Sequence, residues 1–211
     1  MKFAIIFDLD GTLWDPSDVA FLSWKKVLER ELPNYNITKE KLQSVTGMTT
    51  EDIGTNLFPF LDIDKRNELV YKCIIGQNDI IREYGGIIYD DVINDLEILS
   101  KDYDLYIVSN CQKGYIESFL DYYNLNNYIK DIECYGNNGL DKKDNIKVII
   151  DRNNIKSSVY AGDTLIDYNS SKYNNIPFIY CSYGFGNLDN YDYKIDKFSE
   201  LKDIIKLVVN N

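Results

Sequence analysis

Residues Lys2–Thr12 read KFAIIFDLDGT, and this stretch limits the fold more than any other. Phe3 to Phe7 is an apolar run too short for a useful helix, and it reads as a buried strand. Asp8 and Asp10 follow, separated by Leu9. Alternate side chains of an extended chain share a face, so the two carboxylates project together from the strand end. Gly11 lets the backbone turn away at once. Two adjacent carboxylates repel each other, which costs free energy unless a proton or a cation relieves it. A hard divalent cation, Mg2+, is the economical partner, because it takes one or two carboxylates, several waters and a phosphate oxygen. The competing reading is a strand end with two solvated acids, since Asp is common in turns.

The rest of the chain alternates strand and helix. From Gly86 onward, Tyr89, Val92, Ile93, Leu96 and Leu99 give one apolar helix face. Leu105–Val108 is a strand ending in Ser109-Asn110, and Ile116, Phe119, Leu120 and Tyr123 form a second helix face. A weak strand is expected at Ile132–Tyr135, a helix at Asp144–Asn153, and a strand at Ser158–Ala161 ending in Gly162-Asp163. A helix over Leu165–Tyr173, a strand over Phe178–Ser182 and a terminal helix follow, with loops expected at Tyr122–Tyr128 and Asn187–Tyr193. Such alternation implies right-handed crossovers and a mostly parallel α/β sheet. Between Pro16 and Tyr84 only helical patterns occur, opening after a turn-like break at Leu13–Pro16 with Ser17 or Asp18 as the cap. Gly85-Gly86 ends this stretch as a flexible joint. The expected division is a core of 1–15 and 86–211 with a helical insert of 16–85.

Three strand ends carry groups suited to phosphate chemistry. The Ser109 hydroxyl and the backbone N–H groups around Asn110 suit a phosphoryl oxygen, although a plain helix N-cap would use the same residue. Lys142 and Lys143 precede a helix, where a solvated lysine pair is the ordinary reading. Asp163 and Asp167, after the tight turn at Gly162, are placed to complete a cation site near Asp8 and Asp10.

These residues resemble the motifs of the haloacid dehalogenase-like superfamily of hydrolases, and its phosphoglycolate phosphatase-like branch in particular. FDLDGT looks like the first motif, Ser109 in IVSN the second, and YAGDTLID the fourth, G-D-x-x-x-D. The third motif is a lysine near a helix start. Here the usual K-P pair is missing from GLDKKDN, and Lys142 is chosen over Lys143 for its place after Gly139-Leu140. The resemblance implies a Rossmann-like core with an inserted helical (C1-type) cap. It implies a Mg2+-dependent phosphatase acting on a small phosphorylated metabolite. Asp8 would be the nucleophile and Asp10 the general acid–base. Ser109 and Lys142 would hold phosphoryl oxygens, with Gly11, Thr12 and Asn110 beside the substrate. Asp8, Asp163, Asp167 and Asp10 (through its backbone carbonyl) would hold the metal. Gly47-Met48 looks like the specificity loop of the cap. A β-phosphoglucomutase-like mutase and a non-catalytic phosphate-binding protein on the same fold are the alternatives. A dehalogenase would lack the second acid of the first motif, so Asp10 argues against it.

Composition narrows the rest. The chain contains no histidine, which excludes a Ser-His-Asp triad, a Cys-His pair and a histidine zinc site. A formal charge of −11 argues against nucleic acid or an anionic membrane as the main partner. Cys73, Cys111, Cys134 and Cys181 are scattered and suggest neither a disulfide framework nor a metal site. The N-terminal apolar run ends in Asp8, unlike a secretory signal, and no window reaches a membrane span. A reduced, cytoplasmic protein is therefore the expectation, with its oligomeric state open.

Overall fold

The computed structural model describes residues 2–45 and 50–210. The chain divides into two compact units, Met1–Asp15 with Ile87–Asn211, and Pro16–Gly86. Gly86 therefore falls with the helical unit rather than with the core.

The first unit is built on a six-stranded parallel sheet in the order β5-β4-β1-β6-β7-β8. Its strands are β1 (Ala4–Phe7), β4 (Asp104–Ser109), β5 (Ile129–Cys134), β6 (Ser158–Gly162), β7 (Phe178–Cys181) and β8 (Tyr193–Ile195). Every residue of β1 is buried, because alternate side chains pack on opposite faces and both faces are covered. Ala4 and Ile6 join Tyr106, Val108, Tyr160 and Phe178 in a cluster with Ile146 and Ile149 of α8 (Lys142–Arg152). On the other face the Phe7 ring lies 6.0 Å from that of Phe198. The chain runs outward through β4 and β5, then returns to β6 on the opposite side of β1. That reversal puts the carboxyl end of β1 at the switch point of the sheet, where open α/β sheets bind ligands. The parallel α/β sheet expected from the alternation is the one observed, as is the Rossmann-like core that the resemblance implies.

The remaining elements of this unit are α5 (Val92–Asp102), α6 (Tyr115–Tyr123), α7 (Tyr135–Asn138), α9 (Leu165–Tyr173), α10 (Leu201–Asn210) and a small ribbon. The ribbon pairs β2 (Trp14–Asp15) antiparallel with β3 (Ile87–Ile88), where the sequence suggested only a turn-like break. Two-residue strands carry no periodic signal, so pattern reading passes over them. Strand β8, at three residues, is also too short to show an alternation. Tyr135 begins a helix instead of ending a strand, and the helix expected at Asp144 starts two residues earlier, at Lys142. Tyr122 and Tyr123 belong to α6, not to a loop.

The second unit comprises α1 (Ser17–Glu31), α2 (Lys39–Gln43), α3 (Thr50–Leu57) and α4 (Ile63–Tyr84). Pro16 is the N-cap of α1 and makes no side-chain cap bond, so neither Ser17 nor Asp18 caps it. A side-chain cap does open α4, where the Asp62 carboxylate accepts from the Lys65 N–H at 3.0 Å. Trp24, Leu28, Phe58, Val70 and Cys73 form its core. Gly85 ends α4 with φ +65°, a left-handed value that suits glycine. Gly47 and Met48 lie outside the described residues. Among the described residues, no helix is long and apolar enough to cross a membrane.

Candidate active site

Three strand ends and one helix start bring remote residues together. Asp8 leaves β1, Ser109 closes β4, and Asp163 follows β6 directly. Lys142 is the first residue of α8. The carboxylate oxygens of Asp8, Asp163 and Asp167 lie within 4.8 Å of one another, and all three residues are buried. Lys142 Nζ donates to Asp8 Oδ1 at 2.7 Å and to Asp167 Oδ1 at 2.6 Å. Lys143 lies elsewhere, with its ammonium 5.3 Å from the Tyr173 ring centre.

Lys142 is fixed without the proline usually found beside the family's lysine. Asn138 Nδ2 donates to Asn145 Oδ1 at 2.8 Å, Asn145 Nδ2 donates to Leu140 O at 2.9 Å, and Leu140 N donates to Asn138 Oδ1 at 2.9 Å. Gly139 turns the chain with φ +73°. Crossed amide bonds thus set the loop geometry that a proline ring would otherwise restrict.

Each acid has its own support. Asp167 Oδ2 accepts from Thr164 N at 2.9 Å and from Thr164 Oγ1 at 2.6 Å, in a capping box at the start of α9. Tyr160 Oη reaches Asp167 Oδ1 at 3.3 Å and Val108 O at 3.0 Å. Asp163 Oδ2 accepts from the Phe185 N–H at 2.7 Å and the Gly186 N–H at 3.3 Å. The N-cap of α9 is Thr164, so Asp163 is not tied up as a cap. Gly11 and Gly184 are both required by this packing. A Cβ on Gly11 would lie 2.3 Å from Asp163 Oδ2, and one on Gly184 would lie 2.3 Å from Gly11 O.

Asp10 faces a different group. Its Oδ1 accepts from Trp14 Nε1 at 2.7 Å and from Tyr115 Oη at 3.1 Å. Its carboxylate is not one of the three clustered acids, so a role at a cation would fall to its backbone carbonyl. Thr12 is buried, with Oγ1 3.4 Å from Asp163 Oδ1, and so supports the acid cluster. The Ser109 hydroxyl donates to the Cys111 sulfur. Ser109 is no helix cap, because α6 begins at Tyr115 and is capped by Gly114. Asn110 is exposed and, with Lys142 and Lys143, lines a surface depression of about 460 Å³.

Electrostatics separate these acids. Burial and then the Asp167 charge push Asp8 well above the ordinary carboxylate range, against the pull of Lys142. Burial and Asp167 also push Asp163 up to about 6, against the Phe185 and Gly186 N–H groups. Burial raises Asp10 to about 6 despite the Trp14 and Tyr115 hydrogen bonds. Burial disfavours a charged Lys142, but Asp167 and Asp8 outweigh it and keep the ammonium charged. With all groups ionised, three carboxylates face one ammonium. A divalent cation would match that surplus of negative charge, and oxygen donors alone suit a hard ion. The residues present therefore fit such an ion.

Sequence reasoning missed Trp14, Tyr115, Tyr160, Asn138 and Asn145. A signal for Thr164 was available, because T-L-I-D is a capping-box pattern. Trp14 and Tyr115 carried none, since one lies in a two-residue strand and the other is 105 residues from its partner Asp10.

The fold is α/β, with a buried centre of three acids and one lysine at the carboxyl end of its parallel sheet. The sequence profile of haloacid dehalogenase-like hydrolases matches residues 5–181, and the chain belongs to that family. Solved structures share the whole fold. A predicted phosphoglycolate phosphatase from Haemophilus somnus superposes with a TM-score of 0.81 at 17% identity, covering 97% of this chain and 99% of that one. A predicted phosphatase from Clostridium acetobutylicum gives 0.75 at 23%, covering 98% and 99%. YfnB of Bacillus subtilis, solved with magnesium bound, gives 0.75 at 18%, covering 97% and 99%. No curated protein matches the chain.

Proposed function

We propose that the protein is a Mg2+-dependent phosphatase for a small phosphomonoester, of the phosphoglycolate phosphatase-like kind. The observation that carries this reading is Asp8, buried within reach of Lys142, beside two further acids and two residues before Asp10. Asp8 attacks phosphorus and forms an aspartyl-phosphate. Asp10 gives a proton to the departing alkoxide, then takes one from the water that hydrolyses the intermediate. A carboxyl raised to about 6 can trade that proton in either direction near neutral pH. Trp14 and Tyr115 both hold Oδ1 of Asp10, so Oδ2 is the oxygen that would carry the proton. Ser109 and Lys142 hold the phosphoryl oxygens. Asp8, Asp163 and Asp167, with the Asp10 carbonyl, would hold Mg2+, which supplies positive charge against the carboxylate–phosphate repulsion. We assign substrate selection to the helical unit, Pro16–Gly86.

Turnover of p-nitrophenyl phosphate tests the reading. Hydrolysis should need Mg2+, stop with EDTA and be inhibited by Ca2+, whose looser coordination shell disturbs in-line geometry. A phosphate-binding protein would give no turnover, and a dehalogenase would release halide from 2-haloacids without metal. Small phosphates should be hydrolysed well and folded phosphoproteins poorly.

The raised acids give a pH prediction. Native Asp163 holds its proton more tightly than the unfolded chain does, so it favours folding at low pH. That advantage fades as pH rises from about 4 to about 6. A bound cation relieves the same repulsion but must compete with protons. Added Mg2+ should therefore raise the melting temperature more at about pH 7.5 than at about pH 5. Calorimetry at the two pH values checks this, and an equal gain at both would contradict it.

A further inference from the structure

We propose that Cys111 and Cys134 are a reversible oxidation site, joined as a disulfide by a hydroperoxide, and that the bond slows phosphoryl transfer by disturbing Ser109. The consequence for turnover rests on the phosphatase reading above.

Strand pairing brings the two thiols together. Cys134 closes β5 and is the register partner of Ser109 on β4, and Cys111 lies two residues beyond Ser109. The loops that follow the two strands are tied by the Gly136 N–H, which donates to Cys111 O at 3.0 Å. They also touch, because a Cβ on Gly136 would lie 2.0 Å from Lys113 N. Cys134 Sγ lies 3.8 Å from Gln112 O, beside Cys111. The two thiols are side-chain hydrogen-bond partners. That bond, with the Asn137 and Gly136 N–H groups, holds the Cys134 thiol below its ordinary range and favours the thiolate. Cys111 is half-buried and offers a small peroxide its way in, whereas Cys134 is buried. The other cysteines are differently placed. Burial raises Cys73 to about 12 and pushes Cys181 higher still.

The chemistry balances with a hydroperoxide as the oxidant. The Cys134 thiolate attacks a peroxide oxygen; an S–O bond forms, the O–O bond breaks, and water or an alcohol leaves. The Cys111 sulfur then attacks the Cys134 sulfenic sulfur. The S–S bond forms, the S–O bond breaks, and hydroxide departs with the Cys111 proton as water. The peroxide gains the two electrons lost by the thiols. A disulfide needs about 2.0 Å between sulfurs, so the pair must close up from hydrogen-bond contact. One of the two sulfurs, that of Cys111, accepts from the Ser109 hydroxyl, so closing the pair disturbs that contact. Misplacing a positioning group by about 1 Å can cost about 100-fold in rate.

The test treats the whole protein with hydrogen peroxide, blocks remaining thiols with N-ethylmaleimide under denaturing conditions, and maps the peptides. A linked Cys111–Cys134 peptide is expected, with Cys73 and Cys181 alkylated. Turnover of p-nitrophenyl phosphate should fall about 10- to 100-fold and return with dithiothreitol. Cys111→Ser and Cys134→Ser should each keep their starting activity through the same treatment. Four alkylated cysteines, or a different pairing, would overturn the site. A mapped Cys111–Cys134 bond with unchanged turnover would overturn its effect on Ser109. A protein that hydrolyses nothing before oxidation would count against the phosphatase reading and so remove the effect on turnover, while the peptide map would still decide the pair.

Discussion

Asp8→Asn should abolish turnover on every phosphate ester, because an amide cannot form the aspartyl-phosphate. Asp10→Asn should fail differently, although it lies only two residues away. It keeps the nucleophile and the three-acid cluster, since the Asp10 carboxylate is held apart by Trp14 and Tyr115. It loses the proton donor and, later, the base. Removing one general acid–base group costs about 10²–10⁴-fold. The loss should be near the upper end for an alkyl phosphate, whose alkoxide needs a proton. It should be smaller for p-nitrophenyl phosphate or acetyl phosphate, whose leaving groups need little help. Steady-state rates on the matched pair of substrates check this. Equal losses for both variants on all substrates would contradict the division of labour.

The second large effect belongs to Lys142. Its ammonium bridges Asp8 and Asp167 while nearly buried, at 6% exposure. Lys142→Met keeps most of the side-chain volume and removes the only cation these contacts provide. Breaking a buried ion pair from one side costs about 3–5 kcal/mol, because the remaining charge is left unpaired. Two carboxylates are stranded here, and because burial already raises Asp8, its protonation should soften the loss as pH falls. Turnover should drop by about 10²–10³-fold, the range seen when one group stabilising transition-state charge is removed. Lys143→Met should leave both properties near wild type, because that ammonium lies over Tyr173. Chemical denaturation at two pH values and steady-state kinetics check these outcomes. A Lys143 variant that loses more activity than the Lys142 variant would reverse the assignment.

The sequence disclosed more of the site than the local fold around it. Apolar runs ending in DLDGT, IVSN and YAGD marked three strands and the sheet end at which they meet. Helix faces with period-3.6 patterns were equally plain. What escaped was set by tertiary contact. The ribbon of Trp14–Asp15 with Ile87–Ile88 is too short for any period, yet it places Trp14 beside Asp10. Tyr115 and Tyr160 read as core aromatics, and only their hydroxyl partners reveal more. Asp167 looked like a simple fourth acid. In the structure both its oxygens are engaged, by Lys142 and Tyr160 on one side and Thr164 on the other. The missing K-P pair weakened the choice of lysine in the sequence, and the crossed Asn138–Asn145 amides explain how the loop manages without it.

The central claim is that Asp8 carries the phosphoryl group. Turnover should be quenched in acid during steady-state hydrolysis of acetyl phosphate by Asp10→Asn, in which breakdown of the intermediate is slowed. Borohydride reduction and peptide mapping should then find the acyl phosphate at Asp8, as homoserine in the peptide containing FDLDGT. Asp8→Asn treated in the same way should show none. Turnover with no modified Asp8 peptide, or an adduct at another residue, would contradict the account.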